Sequence, residues 1–139
     1  MSRPVYVLVF PSPLFPAHWS LFIPSLTNQS IGIRIHVHGD AKSGFAHEFV
    51  RGYDMGQSTQ GDKLVLLGEV DEGFLAGDED ESTGVREEDG GEQTETRDVD
   101  ARNELERIAL GVPAPGPSLN SVQNQVRLCL PSFLLNRTL

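Results

Sequence analysis

Residues 31–38 read "IGIRIHVH", and this alternation constrains the fold more than any other stretch. Ile31, Ile33, Ile35 and Val37 point one way, while Gly32, Arg34, His36 and His38 point the other. Only a β-strand separates residues with a period of two, so one face is buried and the other is polar. Such a strand needs partners, and its neighbours supply candidates. "VYVLVF" (5–10) is β-branched and aromatic on both faces, as in a central strand. "HWSLFI" (18–23) places Trp19, Leu21 and Ile23 on one face, with His18, Ser20 and Phe22 on the other. Phe45–Tyr53 alternates less cleanly, and "KLVLLGEV" (63–70) completes the set. The links are too short for helical crossovers, which predicts an antiparallel meander. Proline-rich "PSPLFP" (11–16) can only be a loop, and "GDAKSG" (39–44) is turn chemistry.

Charge divides the rest of the chain. Between Glu69 and Asp100 stand 14 acidic residues against Arg86 and Arg97 alone. The remaining residues carry six acids and nine basic side chains, so the net charge of -9 belongs to this segment. The acidity describes an insert and gives no ground for a basic ligand or a nucleic-acid mimic. With almost no large apolar residue, the segment cannot offset an ordering entropy of roughly 1–2 kcal/mol per residue. Residues 71–98 are therefore expected to be a disordered insert between a β part (1–70) and a helical part (99–139) of one domain. In the helical part, Ala101, Leu105, Ile108 and Ala109 fall at helical spacing over 99–110, with Asp100 as the expected N-cap and Gly111 as the stop. Ser118 could cap a second helix reaching about Leu128. The expected fold is α+β: an antiparallel sheet of about five strands packed by one or two helices.

The N-terminal apolar run is interrupted by Pro4, Pro11, Pro13 and Pro16, and it reads as a strand and not an export signal. No run is long enough to span a membrane, and the expected location is cytoplasmic. Lys42 and Arg51 are too few for nucleic-acid binding, so the expected partner is an unknown small molecule or protein. The sequence fixes no oligomeric state.

The chemistry-bearing residues are His18, His36, His38, His47 and the single cysteine, Cys129. His36 and His38 share a strand face and, with His18 or Asp40, could in principle converge on an ion. The set matches no metal signature; no metal or cofactor is assigned. His47 reads as solvated on the outer face of its strand. Trp19 reads as core packing or, with His38 and Asp40, as part of a binding surface.

The stretches "AHWSLFI" and "IRIHVHG" resemble two core strands of the permuted papain-like fold, as in NlpC-type peptidases and lecithin:retinol-acyltransferase-type enzymes. The chain also resembles small uncharacterised fungal proteins that share "HW-x-LF-x-P", "IHV-x-GD-x-x-x-GF" and "LE-x-IA…VPAPGPSLNSV". The resemblance implies His18 as base, His36 as its orienting partner and a later cysteine as nucleophile. Here the chain departs from the pattern. Cys129 stands in "VRLCLPSFLL", where apolar neighbours raise a thiol pKa, and not at a helix N-terminus that would lower it. Three functions follow from the sequence. The first is a non-catalytic binding or accessory protein of a papain-like-fold family. The second is a thiol hydrolase or acyltransferase using Cys129, His18 and His36. The third is a histidine-based or metal-dependent small-molecule enzyme.

Overall fold

The computed structural model describes residues 1–13, 17–58, 61–77 and 95–118. Six strands form one antiparallel sheet: β1 (Ser2–Phe10), β2 (His18–Pro24), β3 (Ile31–Asp40), β4 (Gly44–Asp54), β5 (Lys63–Asp71) and β6 (Thr96–Asp98). Helix α1 (Glu104–Leu110) follows. The mixed strand-and-helix composition agrees with expectation, but among the described residues there are six strands and not about five. The sixth, Thr96–Asp98, lies inside the span expected to be disordered and pairs with β4, Val50 opposite Arg97. At the other end of that span, Leu75 is buried in a 3-10 turn, Glu72–Leu75. Residues 78–94 and the expected second helix near Ser118–Leu128 lie outside the described residues.

The topology also corrects the simple meander. Strands β1 to β4 do follow one another, but the order across the sheet is β5-β1-β2-β3-β4-β6. The chain crosses back from β4 to the far edge and lays β5 against β1. Four strand spacings are about 19 Å. The link over residues 55–62 can reach roughly 25 Å when extended, so no helix is needed to make that crossing.

Both sheet faces carry a core. On one face Val5, Ile23, Ile35 and Phe49 pack with Leu75 and, from the helical part, Ala101, Leu105 and Ala109. On the other face Leu8, Phe22, Val50 and Tyr53 cluster with Tyr6, Phe10 and Met55. Phe22, Ile23 and Phe49 are fully buried, each contributing about 1.5–3 kcal/mol of transfer free energy. The poor alternation of Phe45–Tyr53 has a cause. The register slips between Gly32 and Arg34, so Ile33 faces both Arg51 and Gly52. Gly52 sits at φ 68, open to a residue without Cβ. This bulge returns Tyr53 to the face of Val50 and Arg34.

Helix α1 is too short to persist by itself. It is held by a buried fork: Arg51 Nη1 and Nη2 donate to Glu106 Oε1 and Oε2 at 2.8 and 3.0 Å. The N-cap is Asn103, whose Oδ1 accepts from Glu106 N, and not Asp100. The helix begins later than expected because Asp98 Oδ1 instead ties down Asp100 N in the bend that follows β6. No helix among the described residues is long and apolar enough to cross a membrane.

Candidate functional site

Sheet register decides which polar side chains meet. Phe10 stands opposite His18, Leu8 opposite Ser20, Phe22 opposite Arg34, and His36 opposite Glu48. These residues share the face of the second core cluster, where a row of polar groups crosses β2, β3 and β4. His18 Nε2 lies 3.2 Å from His36 Nδ1. His36 Nε2 lies 2.7 Å from Glu48 Oε2. Arg34 reaches Ser20 Oγ through Nε at 3.1 Å and His36 Nδ1 through Nη2 at 3.4 Å. Arg97, carried in by β6, reaches Glu48 Oε2 at 3.4 Å.

The protons in this row can be placed. A guanidinium only donates and an ionised carboxylate only accepts. Glu48 therefore requires the proton on His36 Nε2, and Arg34 requires a lone pair on His36 Nδ1. That lone pair accepts from His18 Nε2–H, which leaves His18 Nδ1 as the basic nitrogen. Electrostatics agree with neutral imidazoles. Burial, with the Arg34 charge, lowers the His36 pKa to about 4 against the opposing pull of Glu48. Burial and then Arg34 also lower the His18 pKa. Burial alone would raise Glu48, but the His36 hydrogen bond and the Arg97 charge outweigh it and keep the carboxylate ionised.

The structure brings together His18 and His36. The His38 ring is 6.4 Å from that of His36, centroid to centroid, and stays exposed at the end of the row. Asp40 Oδ1 accepts from Lys42 N and Ser43 N, which makes it the cap of the β3–β4 turn. Trp19 lies on the opposite face, and the core-packing expectation is corrected: it is 67% exposed. His47 is corrected as well. It pairs with Val37 and is half-buried beside a groove of about 350 Å³. Trp19, Leu21, Ile35, Val37, Ala109 and Val112 also line this groove. Cys129 lies outside the described residues. Among the described residues, no three His, Cys, Asp or Glu side chains are grouped as ligands for one ion.

Sequence reasoning missed Glu48, Arg34 and Ser20. The signal was in the turn: Asp40 pairs with Gly44, and counting outward from it pairs His36 with Glu48.

No curated protein and no solved structure matches the chain. The profile of a family of unknown function (DUF6540) matches residues 5–131, nearly the whole sequence, and the chain belongs to that family.

Proposed function

We propose that the His18–His36–Glu48 row is an acid–base site that hydrolyses or transfers an acyl group, with His18 Nδ1 as the proton acceptor. The observation that carries this reading is the continuous hydrogen-bonded chain of fixed polarity. Glu48 orients His36, His36 orients His18, and the base at the end of the chain points its lone pair onward. A base must be unprotonated to act, and the lowered His18 pKa keeps it so at neutral pH. The resemblance to the permuted papain-like fold supports the same two roles, base and orienting partner, for His18 and His36. In the thiol version the attacking group is Cys129; in the histidine-only version it is water.

The test is hydrolysis of p-nitrophenyl esters by the full chain. His18→Gln is expected to lose about 100-fold or more in kcat/KM, with an unchanged circular dichroism spectrum. Turnover no faster than buffer, or a folded His18→Gln variant as fast as the wild type, refutes the reading. Cys129→Ser separates the two versions: a loss assigns the thiol, full retention assigns water. A second reading, a non-catalytic binding protein, draws on the apolar groove of about 350 Å³, a size that suits a small apolar molecule. It gains if the ester assay is negative and an apolar fluorophore binds with quenching of Trp19.

A further inference from the structure

The row of polar groups contains a cation that the acid–base reading does not use. Arg51, Arg97, Arg102 and Arg107 each meet a carboxylate. Arg34, half-buried on β3, makes no ion pair among the described residues; its contacts are neutral. Nε donates to Ser20 Oγ, Nη2 donates to His36 Nδ1, and the guanidinium lies over the rings of Phe10 and Tyr53 at 4.5 and 5.2 Å. A guanidinium has five N–H groups in a planar fork, and these two bonds leave the rest of the fork unspent. Keeping a partly buried charge without a carboxylate in direct contact costs stability, and the packing around it is specific. The Gly52 bulge is what brings Tyr53 to this face, and Phe10 touches both Arg34 and His18, with ring centroids 5.9 Å apart in the second case.

We propose that Arg34 anchors an oxyanion of the substrate, a carboxylate or phosphate group, beside the His18–His36 pair. This rests on the acid–base reading of the site and adds the substrate class: an acyl compound bearing a negative charge. The planar fork suits two oxygens at once, which a lysine could not match. The side chains fix the fork, so little ordering entropy remains to be lost on binding. The anchor also couples binding to reactivity. Arg34 holds down the proton affinity of both His18 and His36. An anion that cancels its charge makes His18 a stronger base at the moment the substrate is in place. The other groups that act on Arg34 are the charged Glu48, Glu95 and Arg97 and the titratable Tyr53.

The test uses acetate, inorganic phosphate and neutral acetamide, titrated into the full chain at constant ionic strength, with histidine and arginine side-chain nitrogens followed by NMR. Acetate or phosphate is expected to shift the Arg34 Nε–H resonance saturably and move the His18 titration midpoint upward, while acetamide does neither. Which anion does so tells a carboxylate substrate from a phosphate one. Arg34→Gln is expected to abolish the His18 shift and to lower kcat/KM for p-nitrophenyl hydrogen succinate about 10–100-fold relative to p-nitrophenyl acetate. No saturable shift with either anion overturns the proposal, as does an undiminished His18 shift in Arg34→Gln. Should that variant not fold, the Arg34 resonance of the wild type decides by itself. The two readings fail separately. Ester turnover that needs His18 but ignores both anions removes the anchor alone. Anion binding at Arg34 with a fully active His18→Gln removes the acid–base role alone.

Discussion

Acidification should weaken the fold through His36. An ordinary histidine takes its proton near 6.5, whereas His36 holds out to about 4. Between those values the unfolded chain binds a proton that the native state refuses, so the native state loses stability as pH falls through this interval. At about 1.4 kcal/mol per pH unit the limit is roughly 3 kcal/mol. Solvent at the edge of the site screens the charges, and about 1.5 kcal/mol is the working figure. Glu48 and His18 act in the same direction. The Glu48 pKa is held below its ordinary 4.5, so its share is lost only at the bottom of the interval. His18 adds a smaller share below 6.5. The assay is urea unfolding from pH 7 to pH 4, comparing wild type with His36→Gln. The stability difference between the two should change by about 1.5 kcal/mol over the interval, the wild type losing ground as acid is added. A difference that stays constant, or a wild type that gains on acidification, refutes the placement of a neutral His36 between Arg34 and Glu48.

Other consequences are simpler. Glu106→Ala removes the carboxylate fork from the buried Arg51 guanidinium, leaving Asp98 Oδ2 at 3.6 Å as its nearest carboxylate, and should cost about 3 kcal/mol in urea unfolding; a cost below 1 kcal/mol, on the order of a surface pair, would mean that the fork does not hold α1. Trp19 is the single tryptophan and is 67% exposed. Its emission should resemble that of free tryptophan in water, and Trp19→Ser should change stability by no more than about 0.5 kcal/mol; blue-shifted emission would place the indole in a core. Gly52→Ala forces a side chain onto φ 68 and should cost about 1 kcal/mol or more, with a shifted Tyr53 ring resonance as the local readout. An unchanged melting curve would argue against the bulge.

The parts of the fold legible in the sequence were those written with a local period. Ile31–His38 announced its two faces, and His18 with His36 could be assigned to one of them, because alternation is a property of each strand alone. The second partner of β1, β5, was not legible. Leu64, Val65, Leu66 and Leu67 are apolar on both faces, which fits a central strand, yet all four are exposed at a sheet edge. Pattern reports affinity for burial and not the topology that grants it. Trp19 shows the same limit, since it shares a face with Leu21 yet is 67% exposed. The short strand Thr96–Asp98 has no apolar signal at all; it exists because β4 offers an unpaired edge and Arg97 meets Glu48 there. Within the site the histidines drew notice by residue type. Glu48 did not, since one carboxylate among 20 acidic residues carries no mark until the register aligns it with His36.

The central claim is the direction of the proton chain, and the nitrogen spectrum of the histidine rings tests it most directly. At pH 7 long-range ¹H–¹⁵N correlations should show His36 neutral with its proton on Nε2. His18 should also be protonated on Nε2, with a titration midpoint below 6.5. A proton on His36 Nδ1, or a doubly protonated His36 at that pH, would contradict the relay from Glu48 to His18.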